Sequence, residues 1–145
     1  MIVIVATNAE CELAQKRFPD DIIIKTGVGA LNIIQKLQNA SRQMKILNFG
    51  YAGSNSIPVG TEVKIGTCQL YHPNVEYDEP IYQLTGDVPC YTSNDFVLKT
   101  DIKTPCVFDM ELAYILALGF KNVESIKIVS DNLSLEEYQN VESNS

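Results

Sequence analysis

The chain has 145 residues, enough for one α/β domain, with 46% hydrophobic and 20% charged residues. That balance excludes a mainly disordered chain, a collagen or a coiled coil. The net charge is −7, with six basic and four acidic groups in residues 1–50 and five and fourteen in residues 51–145. The acidic excess and the lack of a basic run argue against nucleic acid as a partner. No apolar stretch is long enough to span a bilayer, so a membrane is not expected either.

The elements follow in chain order. Met1 to Thr7 is an apolar run that reads as a strand buried on both faces rather than as a signal peptide. Ala9 to Phe18 reads as a helix, with Asn8 as N-cap and Pro19 as stop. A short strand is expected over Asp21 to Lys25. The glycine turn TGVGA follows, and then a helix over Leu31 to Ala40 with Leu31, Ile34 and Leu37 as its apolar face. Met44 to Phe49 is a third buried strand and runs into Gly50-Tyr51-Ala52-Gly53-Ser54. Thr61 to Tyr71 reads as a longer strand. Residues 73–89 read as a proline-bearing loop with one short strand at Ile81 to Leu84. A strand at Cys106 to Phe108 leads into a helix from Glu111 to Gly119. The last strand is Val123 to Val129 and the last helix Leu135 to Val141.

Strands alternating with helices predict a single α/β domain over residues 1–145, three layers deep, with a mostly parallel or mixed central sheet. Ligands in such sheets bind beyond the carboxyl ends of the strands. Three acids stand there or one turn beyond: Glu12, Glu111 and Asp131. Carboxylates at that place suit chemistry on sugars, as base, hydroxyl ligand and acid. Each alone reads more readily as an ordinary acid at a helix start. Asn32 stands where G-x-G-x-x-G needs its third glycine, and no G-x-x-x-x-G-K-[ST] occurs. The dinucleotide and P-loop readings are rejected, and no cofactor is expected. Cys11, Cys68, Cys90 and Cys106 are widely spaced and His72 is the only histidine. No metal site is expected, and the thiols read as reduced in a cytoplasmic protein.

Seven segments, in order, resemble the nucleoside phosphorylase and nucleosidase superfamily, above all its methylthioadenosine/S-adenosylhomocysteine nucleosidase branch. MIVIVATNAECEL is similar to the opening strand and acid-rich turn, and KTGVG to the second glycine turn. LNFGYAG is similar to N-T-G-S-A-G, and IPVGTEVKIGTCQLYH to the V-G-D-I-V-V strand that ends in Y-H. CYTSNDF resembles an S-x-D-x-F segment, VFDMELA resembles V-E-M-E-A, and IVSDNL resembles A-I-S-D.

The resemblance implies a purine nucleosidase. Glu12 would work with the attacking water and Asp131, supported by Ser130, would protonate the leaving purine at N7. Glu111 would bind ribose hydroxyls with Met110 beside the sugar, and Phe96 would stack on the base. Gly50 and Tyr51 would belong to the binding turn. It implies a homodimer or larger homo-oligomer, with a purine nucleoside as the small-molecule partner. The alternatives are a nucleoside or nucleobase binder without catalysis, and a phosphorylase of the same fold. Asn48 occupies a position where phosphorylases carry arginine, which favours water over phosphate as nucleophile.

Overall fold

The computed structural model describes residues 1–75 and 77–143. The elements are β1 (Ile2–Val5), α1 (Asn8–Arg17), β2 (Ile22–Lys25), α2 (Ala30–Leu37), β3 (Lys45–Ser54) and β4 (Glu62–Leu70). They continue with β5 (Tyr82–Gln83), β6 (Val88–Thr92), β7 (Val107–Asp109), α3 (Leu112–Ala117), β8 (Asn122–Asp131) and α4 (Leu135–Ser143).

The apolar opening run becomes a strand with two buried faces. Side chains alternate across a strand. Val3 and Val5 therefore join Ala14, Leu47 and Phe49 in one cluster, while Ile4 joins Ile33, Ile46, Leu112 and Ile115 in another. Full burial of each such side chain is worth about 1.5–3 kcal/mol. β1 pairs in parallel with β2 and β3.

The mixed sheet does not stay open. β3 pairs in parallel with β8 and β8 runs antiparallel to β4. β4 is parallel to β6, β6 is parallel to β7, and β7 returns antiparallel to the end of β3. Five strands thus close a ring, with β2 and β1 attached to β3 and β5 attached to β4. The three-layer description written from the sequence does not contain this closure. The ring brings the ends of β3, β7 and β8 together.

The expected loop over residues 73–89 ends in β6, which the sequence reading left out. Pro89 has no N–H to give a ladder, and it sits where the register between β4 and β6 shifts, between Ile65 and Thr67. Gly66 allows this, because a Cβ there would meet the Gly86 backbone. The apolar face of α2 also differs from expectation. Ile33 and Leu37 are buried, while Leu31 is 67% and Ile34 42% exposed. Gly119 follows α3 with φ +93°, the left-handed geometry that glycine supplies at a helix end.

Candidate active site

The first helix is capped one residue earlier than Asn8. Thr7 Oγ1 accepts a hydrogen bond from the Glu10 N–H at 3.2 Å, and Glu10 Oε1 accepts from the Thr7 N–H at 3.2 Å. This is a reciprocal capping box, T-x-x-E, and it turns Glu10 back over the end of β1. Glu10 Oε1 also accepts from the Ala6 N–H at 2.8 Å, and Oε2 accepts from the Tyr51 N–H at 2.8 Å. Glu10 is 5% exposed. Gly50 makes room for it: a Cβ on Gly50 would collide with the Glu10 carboxylate.

Asp131 is placed by a bulge. The register between β3 and β8 shifts between Ala52 and Gly53, so Gly53 faces Asp131. A Cβ on Gly53 would lie 2.8 Å from Asp131 Oδ2. The Ser130 hydroxyl donates to Asp131 Oδ1 at 2.6 Å and the Leu133 N–H donates to Oδ2 at 3.0 Å. Glu111 precedes α3, and its Oε2 accepts from the Gly29 N–H of the second glycine turn at 3.0 Å.

These groups surround one cavity of about 280 Å³, near the lower end for small-molecule sites. Glu10, Glu111 and Asp131 line it, as do Met110, Phe96, Ser130 and Tyr51. Leu135 and Tyr138 of α4 cover one side, and the Tyr138 and Phe96 rings stand 5.3 Å apart. Gly50 supports Glu10 from behind and is not part of the lining. Glu12 lies on the exposed face of α1, outside the lining. The α1 acid that reaches the cavity is therefore Glu10, two positions earlier. The T-x-x-E pattern of Thr7 and Glu10 is the sequence signal that separates the two.

Asp109 is a fourth acid of the lining, and Lys127 stands behind it. Lys127 of β8 is 1% exposed, and its Nζ lies 3.1 Å from Asp109 Oδ2. Asp109 also accepts from the Thr92 hydroxyl at 2.5 Å and from the Leu112 N–H at 2.8 Å. Burial works against the charge on Lys127. Asp109, then Cys90, Glu111 and Glu10, nonetheless hold its pKa above the ordinary lysine value.

Three of the four lining carboxyls, Glu10, Glu111 and Asp131, are shifted upward. Burial raises Glu10, against the pull of Lys127 and of the Tyr51, Ala6 and Thr7 N–H groups. Burial and then the nearby Asp109 charge push Glu111 up to about 8, against Lys127 and the Gly29 N–H. Burial raises Asp131, opposed by the Ser130 hydroxyl and the Leu133 and Ser134 backbone. Burial thus favours the protonated form of each, and groups perturbed in this way suit proton transfer. Among the described residues no group of three or more His, Cys, Asp or Glu is disposed to hold a metal ion. Among them, too, no helix is long and apolar enough to cross a membrane.

No protein-family model matches the chain, and no curated protein matches it in sequence. Solved structures do. The MTAN of Chlamydia trachomatis bound to adenine is 18% identical, with a TM-score of 0.75 over 99% of this chain and 87% of that one. The Helicobacter pylori 5'-methylthioadenosine/S-adenosyl homocysteine nucleosidase is 12% identical, with a TM-score of 0.77 over 99% and 91%. A futalosine hydrolase mutant of the same species is 11% identical, with a TM-score of 0.76 over 98% and 90%. The chain therefore has the nucleoside phosphorylase/nucleosidase fold. Within that fold, its nearness extends to methylthioadenosine nucleosidases and to a futalosine hydrolase alike.

Proposed function

We propose that the protein is an N-glycosyl hydrolase that cleaves a purine nucleoside, of the adenine type exemplified by methylthioadenosine or S-adenosylhomocysteine. The observation that carries this reading is the convergence of Glu10, Glu111 and Asp131 on one cavity that also holds Phe96 and Met110. The solved structures of the same fold add support, since the proteins named in them are nucleosidases and a futalosine hydrolase.

The roles follow from the environments. Glu10, with Lys127 favouring its ionised form, accepts a proton from water as the oxygen attacks C1′ of the ribose. The bond from C1′ to the base breaks, and its electron pair goes to the purine. Asp131, whose burial favours the protonated form, delivers a proton to N7. Glu111 shares hydrogen bonds with the ribose hydroxyls while positive charge builds on the sugar. Phe96 offers its ring to the base and Met110 packs beside the ribose. Acid and base assistance of this kind is worth about 10²–10⁴-fold for each group.

The test is incubation with a panel of purine nucleosides, with and without phosphate, assayed for free base. Release of adenine at a rate independent of phosphate is expected. Phosphate-dependent release would make the protein a phosphorylase. Calorimetric binding without release would make it a binder.

A further inference from the structure

Lys127 lies in the middle of a strand and outside the cavity lining. Its register partner on β3 is Gly50, the residue against whose missing side chain the Glu10 carboxylate rests. Paired positions on adjacent strands share a face of the sheet. The ammonium and the Glu10 carboxylate thus lie on the same face. Asp109 fixes the ammonium at 3.1 Å and is itself held by Thr92 of β6 and by the Leu112 N–H of α3.

The other titratable groups around this cluster are Glu111 before α3, the Cys90 thiol of β6 with the Cys68 thiol of β4 beside it, Tyr114 of α3 and Tyr138 of α4. Glu10, Asp109 and Glu111 place three carboxyls around one buried ammonium. As a purely structural element the ion pair has little to recommend it, because an apolar pair of similar volume serves stability as well or better. Its charge has a different consequence for Glu10, a carboxyl that among the described residues accepts only from the Ala6, Thr7 and Tyr51 N–H groups.

We propose that Lys127 is a positioning residue of the acid site: its ammonium, clamped by Asp109 and on the same sheet face as Glu10 beside Gly50, is the counter-charge that favours the carboxylate form of Glu10. The proposal rests on the hydrolase reading for its catalytic meaning. Its electrostatic content stands without that reading. A Glu10 carboxylate so favoured is ready to accept a proton from water.

The experiment is a pH titration of the glutamate carboxyl carbons by NMR, with Glu10 assigned through Glu10→Gln. Wild type is compared with the double variant Lys127→Met/Asp109→Asn, which removes both charges together and leaves no orphan ion. The Glu10 midpoint should rise by about one pH unit or more, the scale of one close opposite charge. Lys127→Arg should keep the wild-type midpoint. In the nucleoside assay the acid limb of kcat should move upward in parallel, with KM little changed.

A folded double variant whose Glu10 midpoint stays at the wild-type value overturns the proposal. So does a double variant that fails to fold, since the pair would then be structural. A wild type that releases no base would refute the hydrolase reading while leaving the titration to decide the role of Lys127.

Discussion

The Glu10 carboxylate accepts the Tyr51 backbone N–H at 2.8 Å, across 41 positions of sequence, in space that Gly50 leaves free. Helix α1 and strand β3 are joined there through an acid rather than through an apolar contact. Gly50→Ala puts a methyl group where the carboxylate sits. The expected outcome is displacement of Glu10, a loss of kcat of about 10²-fold or more, and a stability cost of about 1–3 kcal/mol from overpacking. Steady-state kinetics and urea unfolding check the two parts separately.

Asp131→Asn removes the proton intended for the leaving purine. Hydrolysis of an adenine nucleoside should fall by about 10²–10⁴-fold, while binding of the nucleoside persists. A riboside whose leaving group departs without protonation, such as p-nitrophenyl riboside, should lose much less. The ratio of the two losses is the measurement. Equal losses for both substrates would remove Asp131 from the acid role.

Glu111 gives a pH dependence with a definite sign. Its carboxyl has the ordinary value of 4.5 when unfolded, and burial with the Asp109 charge pushes it up to about 8 when folded. Below 4.5 both states hold the proton. Between 4.5 and 8 only the folded state does, so rising pH drains stability, and the loss levels off above 8. Glu111→Gln lacks this loss and can still accept the Gly29 N–H. Its Tm should match wild type near pH 4 and exceed it at pH 8, where the difference in unfolding free energy is on the order of a few kcal/mol. A Tm difference that is flat with pH would contradict the assignment.

Thr7→Ala removes one half of the capping box. Unfolding free energy should fall by about 1 kcal/mol, the usual cost of losing an N-cap hydroxyl. Glu10 keeps the Ala6 and Tyr51 N–H groups, so its carboxylate should stay in the cavity. Chemical denaturation measures the first effect, and the Glu10 titration midpoint measures the second.

The sequence carries the parts of this fold that depend on local pattern. The run Met1 to Thr7, the strand ends before Met110 and after Val129, and the glycine turns all declare themselves through apolar runs and turn chemistry. What depends on distant partners does not. β6 contains a proline, and only the irregular register beside Gly66 makes that tolerable. Lys127 alternates with isoleucines as a solvent-facing lysine would. It is buried because Asp109, from another strand of the ring, meets it. Glu12 and Glu10 lie two positions apart on one helix start, and spacing relative to the strand does not separate them. The capping partner Thr7 does, because it fixes which acid turns inward.

The most direct measurement of the central claim is the rate of free-base release from methylthioadenosine, without phosphate, by wild type, Glu10→Gln and Glu12→Gln side by side. Wild type and Glu12→Gln should release adenine at similar rates, and Glu10→Gln should bind the nucleoside but release base at least about 10²-fold more slowly. Undiminished release by Glu10→Gln would contradict the account.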